Sequence, residues 1–179
     1  DYIYLDTDER RRFAQVSHEY LIEQVQEQTM ASGEGSKDLH FNHPVKELVW
    51  VCQRELAVSQ RDHLNFFGAN GRSMLRTAKL QFNGNDRITE RDDMYFSQVQ
   101  VYKHHTGKGR SGIYVYSFAL KPEDNQPSGT ANFSRLDNVN LHLDLHDITS
   151  LNPARVTVYA VNYNVLRIMS GMGGLAYAN

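Results

Sequence analysis

The sequence contains little cysteine, no marked excess of charge and no long apolar run. It has one Cys among 179 residues, which excludes an internal disulfide and any metal site made from several cysteines. The 19 Lys and Arg against 21 Asp and Glu give a formal net charge of -2. So small a charge disfavours phosphate-driven binding to nucleic acid. No stretch reaches the roughly 18 uninterrupted apolar residues of a membrane helix, so we expect no membrane insertion.

The remaining composition is that of an ordinary globular domain. Hydrophobic residues make up 40% and charged residues 22% of the chain, and one domain of this length can bury a sizeable core. The single cysteine, Cys52, ends the apolar run 48–52. It is predicted to be a buried small side chain rather than a reactive thiol.

The beginning of the chain is unusual in its sequence. There is no initiator Met, and residues 1–5 form a strand-like alternating run with nothing upstream to pair with. We therefore expect that residue 1 is not the start of the gene product.

Short runs of β-branched and aromatic residues alternate with turn signals such as Asn83-Gly84, which favours an all-β sandwich or barrel. Strands are predicted over 20–29, 39–52, 74–82, 113–120, 131–146 and 156–168. Pro44 cannot donate a hydrogen bond to a ladder, so a bend, bulge or edge is expected there. The run 48–52 is apolar on both faces, which is typical of a central strand.

Two segments have helical signals. Thr7 is predicted to cap a first turn that contains Asp8 and Glu9. Thr89, with Asp92 three residues later, resembles a capping box before a helix over 95–105. In that helix His104-His105 suit the C-terminal end, although 99–102 also fits a strand.

One spacing is compatible with a metal site. On a strand, His142, Asp144 and His146 share one face, each about 7 Å from the next. Two imidazoles and a carboxylate in that arrangement can hold zinc or iron, as in cupin-like sites. The alternation with Leu141, Leu143 and Leu145 is explained equally by an amphipathic strand, which is the favoured interpretation.

No catalytic or cofactor-binding motif is present. The chain has no G-x-S-x-G sequence, and the Gly-rich loop 107–112 lacks the spacing of a phosphate-binding loop. The glycines at 171–174 follow the last strand and open no helix, which disfavours a dinucleotide site. We therefore predict no catalytic residue and no cofactor, and the residues alone indicate a β-sandwich for binding or assembly.

Several long segments resemble the major capsid proteins of nucleocytoplasmic large DNA viruses, with the iridovirus and phycodnavirus-like branch looking closest. The first is Phe41-Asn42-His43-Pro44, continuing to Trp50. The others are 5–14, 111–123, 126–135 and 160–167. They follow one another in the right order from end to end, which makes the resemblance specific.

The resemblance implies an all-β fold, an eight-stranded antiparallel jelly-roll sandwich with one or two short helices in its connections. Such subunits contain two jelly rolls in tandem. Residues 1–18 would be the end of the preceding jelly roll and the connection, and 19–179 the C-terminal jelly roll. Three subunits would form a homotrimer with six similar lobes, a pseudo-hexameric capsomer of an icosahedral shell.

The same resemblance implies that the chain is part of a structural capsid protein and catalyses no reaction. The expected location is the virion capsid, after assembly in the host cell cytoplasm. The expected partners are neighbouring capsomers and the minor capsid and penton proteins, with no direct contact to nucleic acid.

Long loops over 53–73, 83–112 and 121–130 would be free to contact neighbouring subunits, and aromatic residues are enriched at interfaces. The candidate assembly contacts are Phe66, Phe67, Tyr95, Phe96 and Tyr102. The alternative is that these rings cover their own core.

Two other functions stay open on the sequence. One is a cupin-like metalloenzyme that uses His142, Asp144 and His146. The other is a glycan-binding β-sandwich, which a surface Trp would favour, although the only one, Trp50, lies in an apolar run.

Overall fold

The computed structural model describes residues 3–30, 35–68, 71–146 and 153–178, which are mostly β-strand. The strands are β1 His18–Met30, β2 Gly35–Asp38, β3 Pro44–Arg54, β4 Leu75–Phe82, β5 Asn85–Asp92, β6 Ile113–Ser117, β7 Ala131–Asn132, β8 Val139–Leu145, β9 Ala154–Met169 and β10 Met172–Leu175. The helices are α1 Thr7–Gln15, α2 Glu55–Ser59, a π-helix Tyr95–Val99, α3 Gln100–His104 and a 3-10 turn Phe133–Arg135. No helix in these ranges is long and apolar enough to cross a membrane.

The strands form two sheets. One has the order β1-β9-β3-β6, with β10 added beside β9 and β7 beside β3, and the other has the order β2-β8-β4-β5. The pairings of β3 with β6 and β9, and of β8 with β2 and β4, are antiparallel. Two paths of four strands supply the eight strands of the predicted antiparallel sandwich, and the all-β prediction is confirmed.

The chain divides into two compact units, one of Asp1–Gln24 with Tyr163–Asn179 and the other of Val25–Asn162. The second unit contains the main hydrophobic core, to which both sheets contribute. Leu48, Trp50 and Val158 come from one sheet, and Leu80 and Leu141 come from the other. Alternation along β8 leaves every second residue buried, because successive side chains of a strand point to opposite faces.

Cys52 lies inside this core, as predicted. Its side chain is fully buried at the end of β3, and it forms no disulfide. Burial raises the pKa of the Cys52 thiol to about 12, since a thiolate would be desolvated there. The thiol is therefore uncharged and unreactive at physiological pH.

β3 is the predicted central strand, and it carries the predicted irregularity. It pairs with β6 on one side and β9 on the other, and its register with β9 shifts between Val45 and Glu47, just after Pro44. On the β6 side, the carbonyl oxygen of Lys46 accepts hydrogen bonds from the backbone of Phe118 (2.9 Å) and Ala119 (3.2 Å), which continue the antiparallel register of β3 with β6 beyond Ser117. The segment after β6 is thereby held against β3.

The first helix begins differently from the prediction. Asp6, not Thr7, is the N-cap, and its Oδ1 accepts a hydrogen bond from the backbone of Glu9 at 2.7 Å. The expected opening strand falls partly on residues 1 and 2, which lie outside the described residues. Ile3 and Leu5 are almost fully exposed and belong to no strand, because no strand in the described part of the chain pairs with them.

The predicted capping box at Thr89 is wrong. Asn83 and Gly84, both with positive φ, form a two-residue turn that pairs Phe82 with Asn85. This hairpin extends β5 through Thr89 to Asp92, whose carboxylate then accepts a hydrogen bond from the backbone of Tyr95 at 3.0 Å. The helical interpretation after Asp92 is correct and the strand alternative over 99–102 is wrong.

Substitution of Gly112 is expected to destabilise the fold more than substitution of Gly84, a glycine with a similar positive φ. Its φ is +88°, and a Cβ there would lie 2.8 Å from the Cβ of Phe66, whereas Gly84 has φ +79° and open space around it. Gly84→Ala should lose about 1 kcal/mol to the positive φ. Gly112→Ala should lose that and about 1–3 kcal/mol more from overpacking. Urea unfolding of the two variants measures the difference, and equal losses would contradict the close approach.

Candidate assembly surface

The connection between β5 and β6 contains the exposed aromatic side chain of the predicted contact set. The π-helix and α3 follow each other directly in this connection. Tyr102 in α3 is 88% exposed, and Met94 just before the π-helix is 60% exposed. Exposed tyrosine is enriched where proteins contact one another, because a large apolar ring is combined with a hydroxyl that hydrogen-bonds.

Phe96 is wrong as a surface contact. Its side chain is 1% exposed and belongs to the core. It packs edge-on against Trp50, with the ring centroids 5.1 Å apart, and against Tyr95 at 5.2 Å. Phe96 therefore covers its own sandwich and fixes the π-helix to the core.

Three of the predicted contacts are half-buried: Phe66, Phe67 and Tyr95. The hydroxyl of Tyr95 accepts a hydrogen bond from Nε2 of Gln100 at 2.9 Å, and the guanidinium of Arg91 lies 5.7 Å from the ring centroid. Phe66 lies against Gly112. These three rings are partly covered by other residues of their own chain. Of the five predicted contacts, only Tyr102 has a side chain that is largely exposed to solvent.

α3 is fixed in position by a buried amide. Gln100 is 4% exposed, and its Oε1 accepts a hydrogen bond from the backbone of Ser117 at 3.2 Å while its Nε2 donates to Tyr95. Both ends of the amide are satisfied, which offsets the cost of its burial. The helix that presents Tyr102 is thus tied to the end of β6.

A second anchor holds the segment 118–130, which follows β6 and which we call the 118–130 segment. The side chain of Lys46, also buried, donates from Nζ to the carbonyl oxygen of Pro122 at 2.6 Å. The segment presents Leu120, which is 72% exposed, and the carbonyl oxygen of Leu120 lies 3.0 Å from Nδ1 of His104 at the end of α3. The exposed side chains of α3 and of this segment therefore belong to one fixed surface.

A carboxylate–histidine cluster, made of Glu47, His105 and Glu123, joins the same elements. Nε2 of His105 lies 3.0 Å from Oε2 of Glu47, and its Nδ1 lies 3.1 Å from Oε1 of Glu123. The contact to Glu47 has the distance of an ion pair but not the angles of a hydrogen bond, so both atoms lack a hydrogen-bond partner in the described chain. The contact is therefore electrostatic rather than a hydrogen bond.

The two carboxyl groups of the cluster differ in their environment. Burial raises the pKa of Glu47, and the attraction of His105 and Lys46 opposes that rise. Hydrogen bonds from Thr106, whose backbone donates to Oε2 of Glu123 at 3.0 Å, lower the pKa of Glu123. Sequence reasoning assigned His105 only to a helix end, since its partners lie far away in the chain.

The proposed metal ligands bind neighbouring side chains instead. Nε2 of His142 lies 2.6 Å from Oε1 of Gln81. The guanidinium of Arg76 donates to Asp144 at 3.2 Å and to Nδ1 of His146 at 3.4 Å. No group of three His, Cys, Asp or Glu within the described ranges is arranged to hold a metal, and this supports the amphipathic interpretation of β8.

The signal for glycan binding is likewise weak. Trp50 is 1% exposed in the core. The shallow depression of about 280 Å³ beside His142 is lined by Gly35, Thr77, Ala78, Lys79, Glu90, His142, Leu143 and Asp144. It contains no aromatic ring, whereas a second depression of about 380 Å³ is lined by Tyr95.

Antiparallel jelly-roll sandwiches occur in viral capsid proteins as well as in lectins and cupins. The family model of the large eukaryotic DNA virus major capsid protein matches residues 9–174. The chain belongs to this family. Its relatives are named as capsid proteins, and the prediction of a structural protein rather than an enzyme is confirmed.

Individual relatives agree with this membership. The chain is 50% identical to the major capsid protein of Pyramimonas orientalis virus, with all of this chain and 48% of the relative covered. It is 42% identical to that of Paramecium bursaria Chlorella virus 1, with all of this chain and 53% of the relative covered. The chain thus spans about half the length of these curated relatives.

Solved structures show the same fold. The PBCV-1 virus capsid matches with a TM-score of 0.80 at 39% identity, over 99% of this chain and 56% of that one. The Faustovirus major capsid protein matches with a TM-score of 0.64 at 13% identity, over 83% of this chain and 33% of that one. The second similarity shows the fold alone.

Purified protein is expected to contain far less than one zinc, iron or manganese ion per chain after dialysis, because His142, Asp144 and His146 are occupied by Gln81 and Arg76. Elemental mass spectrometry measures the metal content. His142→Gln should leave it unchanged. A stoichiometric metal that this variant loses would restore the metalloenzyme interpretation.

Proposed function

We propose that this chain is the C-terminal jelly roll of a capsid subunit, which forms a homotrimeric, pseudo-hexameric capsomer of an icosahedral shell. The observation that carries the proposal is the anchored surface of α3 and the 118–130 segment, with Tyr102 and Leu120 exposed, in a member of this capsid family. The virion capsid is accordingly its location.

Rigidity of that surface supports an assembly role. An interface loses less conformational entropy when its side chains are already fixed in position before contact. Gln100 and Lys46 supply this fixation from inside the sandwich, through hydrogen bonds to Ser117 and Pro122. Repeated contacts of modest strength then suffice for a closed shell, because symmetry multiplies each of them.

The arrangement of domains is part of the proposal. Residues 1–18 would be the end of a preceding jelly roll and the connection, and 19–179 the C-terminal jelly roll. The coverage of about half of the relatives supports this division, as does β1, which begins at His18. The exposed apolar side chains of Ile3 and Leu5 are of the kind that a preceding domain would cover.

Neighbouring capsomers, minor capsid proteins and penton proteins are the proposed partners, and the host cell cytoplasm is the proposed place of assembly. The formal net charge is only -2, so the chain has no broad electrostatic field that would attract nucleic acid. Such a charge is consistent with partners that are proteins. The family membership supports the role in a shell, and the trimer itself is the part that an experiment can test directly.

Tyr102→Asp in the full-length protein should weaken the trimer. A charge at a contact that becomes buried costs about 2 kcal/mol or more, which corresponds to at least a roughly tenfold higher concentration for half-dissociation. Analytical ultracentrifugation measures the trimer–monomer equilibrium, and thermal unfolding shows whether the fold is intact.

Tyr177→Asp is the matched control, since Tyr177 is also an exposed tyrosine, at 62%, and lies outside the candidate contacts. It should leave the trimer unchanged. A wild-type protein that is monomeric at micromolar concentration would contradict the assembly proposal itself. A trimer that is indifferent to Tyr102→Asp would remove Tyr102 from the interface.

A further inference from the structure

β2 forms an edge of the sandwich that no backbone strand covers. It is the first strand of its sheet and, within the described ranges, pairs only with β8. An uncovered edge presents a row of backbone N–H and C=O groups to which another chain can add a strand. The groups that satisfy this edge therefore determine whether the sandwich associates through it. β1 is the corresponding edge strand of the other sheet.

The backbone keeps the alternation of an edge strand beyond the end of β2. The amide of Leu39 donates to the carbonyl oxygen of Val139 at 2.8 Å, which continues the pairing with β8. In an antiparallel ladder, every second residue directs both of its backbone groups away from the paired strand. The backbone groups of Asp38 and His40, on either side of Leu39, therefore point to the uncovered edge.

Two glutamine side chains of β1 bind these backbone groups in place of a strand. Nε2 of Gln28 donates to the carbonyl oxygen of Asp38 at 2.8 Å, and its Oε1 accepts from the amide of His40 at 2.8 Å. Gln26 binds both backbone groups of Asn42, donating from Nε2 at 2.7 Å and accepting at Oε1 at 3.0 Å. Each side-chain amide is thus bonded through its donor and its acceptor.

The spacing of the two glutamines matches the backbone that they bind. Residues two apart on a strand share one face and lie about 7 Å from each other. A primary amide has a donor and an acceptor in one plane, as a peptide group does. Gln26 and Gln28 therefore offer the 38–42 backbone what two successive peptide groups of a neighbouring strand would offer.

Gln26 is held in position by the sheet to which it belongs. Its Nε2 also donates to Oδ1 of Asn162 at 3.0 Å, and Asn162, on β9, is fully buried. A glutamine side chain loses much rotamer freedom when it is fixed, and this additional hydrogen bond offsets part of that loss. The interior of one sheet thus orients the amide that covers the edge of the other.

We propose that Gln26 and Gln28 act as a surrogate strand, which closes the β2 edge to strand addition by a second copy of this chain. The same edge of a second copy is the matching partner, because two identical antiparallel strands pair about a two-fold axis. The glutamines thereby restrict which surfaces of the sandwich take part in association. This inference concerns one edge of the chain and does not rest on the trimer or on Tyr102.

Methionine variants of the full-length protein test the surrogate strand, because methionine has a similar length but forms no such hydrogen bonds. Gln28→Met should lower the hydrogen-exchange protection factor of the His40 amide about fivefold, as the loss of one hydrogen bond implies, and affect Asn42 less. Gln26→Met should do the reverse. Mass spectrometry with fragmentation to single residues measures both amides, and the Leu39 amide, which faces β8, should stay protected. Unchanged protection of His40 in Gln28→Met and of Asn42 in Gln26→Met would overturn the proposal.

The double variant Gln26→Met/Gln28→Met tests whether the edge is closed. It should associate beyond the size of the wild-type protein as the concentration rises, which sedimentation velocity measures, and circular dichroism shows whether it folds. If it does not fold, Gln28→Met is measured in the same way. A folded variant that keeps the wild-type size with its edge amides unprotected would overturn the closure.

Gln24→Met is the matched control. Gln24 also lies on β1, but its Oε1 accepts a hydrogen bond from Nδ2 of Asn164 at 2.9 Å instead of covering the β2 edge. The variant adds the same apolar side chain to the same strand. It should keep the wild-type size and the protection of His40 and Asn42. Association of this control to the same extent as the double variant would assign the effect to the methionines and contradict the closure.

Discussion

Two adjacent charged side chains buried in the central strand β3, Lys46 and Glu47, are the constraint on which the candidate surface depends. The register of β3 with β9 shifts between Val45 and Glu47, while on its other side the carbonyl oxygen of Lys46 continues the pairing with the chain that leaves β6. Both residues lie at this irregularity and are buried, so each requires a partner. Pro122 and His105 supply these partners, so the position of the exposed connections is set from the core outward.

The strands were predictable because their signals are local. Alternation along β8, the apolar run in β3 and the effect of Pro44 each depend on a few neighbouring residues, and the structure has them where expected. The start of α1 was misplaced by one residue, since Asp6 competes with Thr7 as the cap, and β5 was missed, because its polar segment was interpreted as a loop and a helix cap. The short helix α2 was missed, because five residues give too little periodicity to detect.

The candidate site was harder to predict, because it depends on contacts between distant residues. Phe96 and Tyr102 are both aromatic and lie in one connection, but the π-helix buries the first and α3 exposes the second. The carboxylate–histidine cluster unites residues 58 and 18 positions apart, as the numbers of Glu47, His105 and Glu123 show. No spacing rule covers such separations. Only the topology that brings β3, α3 and the 118–130 segment together reveals them.

The buried thiol of Cys52 has a consequence for how a shell containing this chain would come apart. Because its one cysteine thiol is buried in the core and protonated, the chain offers no accessible cysteine for a disulfide between copies. Contacts that this chain makes with other copies are therefore not reinforced by disulfides. Such contacts can be reversed by a change of solvent or by binding of a partner, and their release does not require a reductant.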